Sequence, residues 1–322
     1  MRLFSALLCT VLACSSAVAQ TYPVKPIRII VPHGPGSPID ISTRGVVQYI
    51  QPALGQPIIV DDRDGADGII GTQAFIASPS DGYTLCVTTN SILVINQFTR
   101  ARLPYDPERD FTPIAMLGFI ESLMVAHPSV PANSVAELIA LLKAKPESLS
   151  WANYGATGPG IFVVNYFKHA LGASMYQIPY KSATQGLNAV AAGDVQLTLY
   201  FAPLAAQFIK AGKIKGLAAA STRRSAYMPE LPSFSEIGID VSPRIWLGAF
   251  APRGTPRDIV ARLNEEVTRA IATGDFQEKV ARRVGLESDP VAGTSPQEFE
   301  AFIKANRTTY ARLAKLAGIQ PE

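Results

Sequence analysis

Histidine, cysteine and clustered basic residues are scarce in this sequence, and each shortage excludes a class of protein. The chain of 322 residues contains 3 Cys and 3 His. His33, His127 and His169 lack the spacing of a metal site. The formal net charge is only +3, without a run rich in Lys and Arg, so the basic face of a nucleic-acid-binding protein is missing. We therefore expect no metal ion and no nucleic-acid partner.

The motifs of common enzymes are also missing. The sequence has no Gly-x-Ser-x-Gly elbow of a hydrolase and no Gly-Lys-Ser/Thr phosphate loop. Gly34-x-Gly36 lacks the third glycine of a dinucleotide fingerprint because residue 39 is Ile. His33 and Asp40 are the one close titratable pair in a candidate loop, and no relay to them is visible. We predict a binding protein without a cofactor, and an α/β enzyme acting on an organic acid stays open as an alternative.

Long apolar runs are absent after the N-terminus, where a single short run occurs. This run follows Arg2 and leads to the small-x-small site Ala17-Val18-Ala19, which predicts a signal peptide over residues 1–19. Cleavage leaves Cys86 as the one cysteine, so an internal disulfide is excluded and a buried, small apolar role is expected. Lipidation of Cys14 is the alternative to plain cleavage. We expect an exported protein.

One stretch near the start of the mature chain predicts a strand, a loop and a helix. Residues 27–31 are apolar apart from Arg28, and residues 39–51 have a helical pattern. The loop between them contains two glycines, three prolines, one His and one Ser. The N–H groups at the start of a helix lack partners, and a carboxylate or phosphate is their natural occupant. We predict half of a small-anion clamp, with the candidate residues His33, Ser37 and Asp40.

A second loop, within residues 151–160, repeats this arrangement. A strand enters a glycine-rich loop, and a helix starts near Ile161. The candidate residues of this second half are Tyr154, Thr157 and Gly158. Either loop can also be an ordinary tight connection in which glycine serves only the backbone. The length of both loops and their Gly and Pro content favour ligand binding.

Strand and helix patterns alternate along the chain, which predicts an α/β fold with mainly parallel sheets. The strands are too many for one compact sheet, so we expect two lobes with two crossing connections near 122–127 and 246–251. Lobe one comprises residues 20–123 plus 246–322, and lobe two comprises residues 124–245. Ligands of such sheets bind at the carboxyl ends of the strands, where both loops lie. Tyr200 and Phe201 end an alternating strand and are expected to face this cleft, with a core or rim position as the alternative.

Several segments of the mature chain are characteristic of one family. They are 22–40, 81–85 (Asp-Gly-Tyr-Thr-Leu), 251–256 and, most specific, 103–115 (Leu-Pro-Tyr-Asp-Pro-Glu-Arg-Asp-Phe-Thr-Pro-Ile-Ala). With these segments the chain resembles the Bug family of periplasmic solute-binding proteins, the receptors of tripartite tricarboxylate transporters. The resemblance covers essentially the whole mature chain. It implies a two-lobed periplasmic binding protein of the Venus-flytrap type, which captures a small organic acid, does no chemistry and serves the membrane components of a transporter.

The resemblance also implies roles for individual residues. The loops that match 35–40 and 153–160 hold the ligand in the family, partly through ordered water. The residues that take these roles here are Ser37, Asp40, Tyr154, Thr157 and Gly158. Asn90 and Ser91 match a third polar contact.

Three positions depart from the family pattern and bear on the ligand. Ser37 stands where a second glycine is usual, Ile161 where His is common, and Tyr200 where Asp is common. Loss of the acid removes a partner for an amino group, while Tyr200 beside Phe201 adds flat apolar surface. We therefore predict a carboxylate without an ammonium group, for example a benzene carboxylate, bound to a monomer. An exported sensor that signals to a membrane partner is the alternative to a transport receptor.

Overall fold

The structure, a computed structural model, describes residues 22–154, 158, 160–180, 182–241, 243–287 and 292–321. The strands in this part of the chain are β1 Ile27–Val31, β2 Ile58–Asp62, β3 Thr84–Thr89, β4 Phe111–Ile120, β5 Ser122–Ala126, β6 Ser150–Tyr154, β7 Tyr176–Tyr180, β8 Leu197–Phe201, β9 Lys215–Ala219, β10 Ile245–Pro252 and β11 Leu286–Glu287. The α-helices are α1 Pro38–Leu54, α2 Ile69–Ile76, α3 Asn96–Thr99, α4 Val135–Ala144, α5 Gly160–Leu171, α6 Ala183–Ala192, α7 Ala202–Lys210, α8 Arg257–Ile271, α9 Gly274–Phe276, α10 Arg282–Val284 and α11 Pro296–Leu316. Short turns of other helix types cover Ala66–Gly68, Ser91–Ile95 and Gln277–Ala281.

The strands form two separate sheets. The first has the order β11-β4-β10-β3-β1-β2, and the second has the order β7-β6-β8-β5-β9. Helices flank both sheets, so the predicted α/β class is confirmed.

Each sheet is mixed, so the prediction of mainly parallel sheets is wrong. β1 runs parallel to β2 and β3, and β6 runs parallel to β7 and β8. β10 is antiparallel to β3 and β4, and β5 is antiparallel to β8 and β9. β5 and β10 are the first strands that the chain forms after it passes from one sheet to the other. Such a strand does not follow a helical crossover within its own sheet, so it is free to pair antiparallel.

The chain passes between the sheets at two places. β4 ends at Ile120 in the first sheet and β5 begins at Ser122 in the second, so the single residue Glu121 joins them. The return lies between Ala219, the last residue of β9, and Ile245, the first residue of β10. Both passages are close to the predicted crossings, while the lobe boundaries themselves stay a prediction.

The strand β1, which leads into the first candidate loop, is anchored in the core by buried side chains. Ile27, Ile29, Ile30 and Val31 are all buried, as the apolar run predicts. Ile30 pairs with Cys86 of β3, which is fully buried and carries a free thiol, as expected from its apolar run. The loop therefore follows a buried strand that is paired on both sides, with β2 and with β3.

The C-terminal helix α11 contacts both halves of the molecule. Its start is fixed by a capping box, in which Ser295 and Glu298 bond reciprocally to each other's backbone. The helix packs against β4 of the first sheet and against α5 beside the second sheet. The ring of Tyr310 on α11 meets the ring of Phe162 on α5 edge to face, with centroids 5.1 Å apart. One large core cluster consequently includes residues from both halves.

Candidate anion-binding site

A cavity of about 440 Å³ is lined by residues from both sheets and their loops. Its size suits a small molecule, because ligand pockets typically measure about 300–1,000 Å³. Six of the residues proposed from the sequence are among those lining the cavity: His33, Ser37, Ser91, Gly158, Tyr200 and Phe201. The two candidate loops therefore share one cavity.

The N-termini of four helices meet at this cavity. Ser37 caps α1, Ser182 caps α6, Phe201 precedes α7 and Gly160 begins α5, and all four residues line the cavity. Each helix start carries N–H groups without intrahelical partners and roughly half a positive charge. The convergence of these ends favours a negatively charged ligand.

The first loop is folded by its own side chains. The Ser37 hydroxyl accepts a hydrogen bond from the Asp40 amide at 3.2 Å, and the Asp40 carboxylate accepts one from the Gly36 amide at 2.8 Å. Gly36 has φ +76°, a conformation that favours glycine. These internal bonds occupy the amides of Gly36 and Asp40, while the amide of Ile39 stays among the partnerless first N–H groups of α1.

The prediction that Asp40 contacts the ligand is corrected by this geometry. Asp40 is only 4% exposed, is absent from the cavity wall and pairs with Arg44 Nε at 2.6 Å. Its carboxylate shapes the loop because it reaches back to the Gly36 amide. A buried, paired carboxylate cannot also face an anion.

His33 lies in the wall of the cavity as a neutral group. Burial lowers the pKa of His33 to about 4, although the nearby carboxylate of Asp64 acts in the opposite direction. Its Nε2 lies 3.5 Å from the Thr88 hydroxyl. The imidazole therefore offers the ligand a neutral hydrogen-bonding surface near neutral pH.

The second loop contributes an unsatisfied donor that the sequence did not single out. Trp151 on β6 is fully buried, and its indole N–H has no hydrogen-bond partner among the residues that the structure describes. A Cβ at Gly160 would lie 3.3 Å from this nitrogen, so the glycine leaves space beside it. A buried donor without a partner costs about 1–3 kcal/mol, which a ligand or water oxygen would offset. Of the predicted residues nearby, Tyr154 ends β6 and Thr157 lies outside the described residues.

Asn90 does not line the cavity, which corrects its predicted role. The side chain is fully buried, and its Nδ2 donates to the backbone carbonyl of Arg244 at 2.8 Å and to the Tyr310 hydroxyl at 2.9 Å. These bonds attach the end of β3 to α11. The adjacent residue Ser91 faces the cavity instead.

Tyr200 and Phe201 serve as cavity wall and core at once. Their ring centroids are 5.2 Å apart with an interplanar angle of 62°. The Tyr200 hydroxyl lies 3.0 Å from the Thr184 hydroxyl, and both residues line the cavity. Tyr200 is only 5% exposed, so both interpretations drawn from the sequence hold together.

Residues 43–319 match the model of the TctC family, described as the tripartite tricarboxylate transporter family receptor. The chain belongs to this family. The predicted resemblance to Bug proteins is therefore confirmed.

Individual relatives match this TctC-family receptor over almost their full lengths. BugT of Bordetella pertussis is 31% identical over 304 residues, which cover 93% of this chain and 91% of BugT. The structure of R. palustris Rpa4515 with adipate has a TM-score of 0.85 and 29% identity, and the match covers 94% of this chain and 100% of that one. MatC from Rhodopseudomonas palustris with bound malate has a TM-score of 0.80 and 25% identity, covering 92% and 100%. These matches confirm the two-lobed binding-protein fold.

Membership of the family decides between the functional classes. A TctC-family receptor binds a solute for a tripartite transporter, so the chain is a solute-binding protein and not an enzyme. Among the residues that the structure describes, no helix has both the length and the apolarity needed to cross a bilayer.

Some lining residues of this receptor escaped the sequence-based prediction. They are the hydroxyl residues Ser122 and Thr184 and the charged residues Asp64 and Arg283, while Ser182 was considered only as a hydroxyl at a helix start beside Lys181. Ser182 carried a usable signal, because Ser182-x-x-Gln185 has the form of a capping box. The Ser182 side chain indeed accepts from the Gln185 amide at 3.2 Å. Arg283 carries no local signal, since only the fold brings it to the cavity.

Proposed function

We propose that this TctC-family receptor captures a small organic carboxylate between its two lobes in the periplasm. The observation that carries the proposal is the meeting of four helix N-termini, from elements on both sheets, at one cavity. The ligand carboxylate accepts hydrogen bonds from the start of α1 on one side and of α5 on the other. Ser37 and Gly158 line these two sides.

The energetics of such a clamp are sufficient for capture. Each hydrogen bond to a charged group contributes about 1.5–3 kcal/mol net. Three or four of them give a dissociation constant near 1 μM, which corresponds to about 8 kcal/mol. A ligand held by both lobes binds the closed form better than the open form, so it shifts the population toward closure.

Ligands of the structural relatives support this class of molecule. The relatives with adipate and with malate contain carboxylic acids without an amino group. In this chain, the wall includes Trp151, Tyr200 and Phe201, which suit a flat or apolar ligand body. We therefore propose a carboxylate without an ammonium group, with aromatic acids among the candidates.

An amino acid is the second candidate, and Asp64 is the observation in its favour. Asp64 is exposed and lines the cavity with a carboxylate. Its Oδ1 accepts a hydrogen bond from the Gly65 amide at 2.8 Å, which leaves Oδ2 for other partners. A ligand ammonium group would pair with this oxygen.

We propose removal of residues 1–19 on export and action as a monomer that delivers its ligand to the membrane components of a tripartite transporter. A ligand sensor remains the alternative. Uptake of the identified ligand by cells that lack the receptor gene separates the two, because only a transport receptor is required for uptake.

The ligand itself is identified by mass spectrometry of the small molecules released when the purified protein is denatured. Calorimetry then compares aspartate, glutamate, citrate, adipate and terephthalate, with the diamide of terephthalate as the uncharged control. We expect the acids without an amino group to bind and the diamide not to bind. Equal binding of the diamide contradicts the carboxylate clamp, and preferential binding of aspartate or glutamate selects the second candidate.

A further inference from the structure

Arg283 stands apart from the other arginines beside the cavity. It belongs to α10, lines the cavity and has an exposed side chain. No described residue forms a hydrogen bond or ion pair with its guanidinium group. By contrast, Arg44 pairs with Asp62 at 2.7 Å, and Arg63, next to the lining residue Asp64, pairs with Asp61 at 2.8 Å. An arginine without a carboxylate partner at a ligand cavity is available to the ligand.

The fold places Arg283 at the seam between the two halves. α10 packs against α1, which follows β1 of the first sheet, and against α7, which follows β8 of the second sheet. The next residues confirm the close approach: Val284 lines the cavity, and a Cβ at Gly285 would lie 2.8 Å from Pro203 Cδ. The same cavity wall includes the apolar residues Phe201, Leu204 and Ile245.

Few charged side chains line the cavity, and Arg283 is one of them. Among the described lining residues, Arg283 and Asp64 are the two that carry a side-chain charge. The effect of a helix N-terminus falls off within its first turn, so these ends compensate an acidic group that lies directly against them. A second ligand carboxylate beside apolar side chains would lose its bound water. This loss is unfavourable unless a cationic side chain pairs with the carboxylate.

We propose that Arg283 binds a second acidic group of the ligand and thereby selects dianions over monoanions of the same skeleton. This proposal rests on the proposed function and specifies its substrate class as two acidic groups separated by an apolar segment. A guanidinium group matches a carboxylate with two parallel N–H donors, which a lysine cannot do. Because Arg283 is exposed, the selectivity decreases as the salt concentration rises.

The test compares matched pairs of acids on matched variants. Dissociation constants for benzoate against terephthalate and for hexanoate against adipate are measured by calorimetry for the wild type, R283Q, R283K and R282Q. Arg282 is the control because it is exposed and adjacent but is not in the cavity wall. We expect R283Q to weaken the preferred diacid about tenfold while the monoacid changes less than about twofold. R283K should recover part of the loss, and R282Q should change neither acid.

The outcomes separate this proposal from the proposed function. Wild-type binding of monoacids and diacids with equal affinity, or equal weakening of both by R283Q, overturns the role of Arg283 and leaves the carboxylate clamp intact. Failure of the wild type to bind any acid of the panel overturns the clamp itself. Thermal unfolding of each variant accompanies the titrations, and R283Q is expected to unfold at the wild-type temperature because its side chain is exposed.

Discussion

The Ser37 hydroxyl accepts a hydrogen bond from the Asp40 amide at 3.2 Å, and Ser134 does the same for the Glu137 amide at the start of α4, also at 3.2 Å. The two serines therefore perform the same capping task. Ser37 lines the cavity, whereas Ser134 does not. This pair allows the capping role of Ser37 to be separated from its position beside the ligand.

The substitution Ser37→Asp should weaken ligand binding without unfolding the protein. Aspartate caps a helix about as well as serine, so the free energy of unfolding should change by less than about 1 kcal/mol. The new charge would repel a bound carboxylate, and affinity should fall at least about tenfold. Calorimetry and thermal unfolding measure the two effects. Ser134→Asp is the control and should leave affinity unchanged, and tight carboxylate binding by S37D would contradict the placement of the anion.

The indole N–H of Trp151 should have its partner in the ligand or in a water bound with it. Trp151→Phe removes a buried donor that has no partner in the described part of the chain, so we expect about tenfold weaker binding together with a modest loss of stability from the smaller ring. Trp246→Phe supplies the contrast. The Trp246 indole donates to Asn306 Oδ1 at 2.9 Å, away from the cavity. Trp246→Phe should lose stability and keep its affinity. If Trp151→Phe also keeps the wild-type affinity, the Trp151 donor does not contact the ligand.

The ring of Phe201 should favour aromatic over aliphatic acids. Phe201→Leu keeps an apolar side chain and removes the flat ring, so affinity for terephthalate should fall about two- to tenfold relative to adipate. Phe208→Leu on α7 is the control, since Phe208 is not in the cavity wall. Calorimetry with both acids gives the ratio directly, and an unchanged ratio would remove the argument for an aromatic ligand.

Stability should decrease as the pH rises through neutrality because of Glu121. Burial and the neighbouring carboxylate of Glu287 raise the pKa of Glu121 to about 8, while the hydrogen bond from Ser225 opposes the rise. The folded state therefore binds a proton that the unfolded state releases near its ordinary pKa of 4.5. By linkage, the free energy of unfolding falls between about pH 4.5 and 8. Glu121→Gln should flatten the pH dependence of the unfolding temperature from pH 6.5 to 9, and an identical slope in the variant would refute this assignment.

His33 should produce the opposite slope in acid. Burial lowers the pKa of His33 to about 4, whereas an unfolded chain binds the proton near 6.5. The unfolded state then binds more protons between about pH 4 and 6.5, so stability is lost as the pH falls through that range. His33→Asn should reduce this loss in thermal unfolding experiments. His169→Asn, which changes an exposed histidine, should leave the acid slope as it is.

The sequence predicted the cavity better than it predicted the direction of individual side chains. The strand at 27–31 and the loop after it follow from local patterns, and His33, Ser37 and Gly158 do line one cavity. Asp40 and Asn90 carry suitable chemistry, yet neither lines it. Asn90 is turned away by the Tyr310 hydroxyl, 220 residues further along the chain, and no local pattern contains that information.

The errors in the predicted fold also arise from contacts between residues that are distant in the sequence. β4, Phe111–Ile120, was not predicted, because Pro113 and Gly118 interrupt its pattern and tertiary pairing with β10 compensates for them. The reversed directions of β5 and β10 depend on which sheet the chain arrives from. Arg283 reaches the cavity through the packing of α10 on two other helices, which is likewise a long-range effect.

The helix α11 connects the two halves of the receptor through side-chain contacts. Its ring contact between Tyr310 and Phe162 ties the far end of the chain to the half that carries α5. A change in the angle between the two halves would disturb this ring contact, so we expect α11 to resist a wide opening of the cavity. We therefore expect the C-terminal helix to influence how readily a solute enters and leaves the cavity.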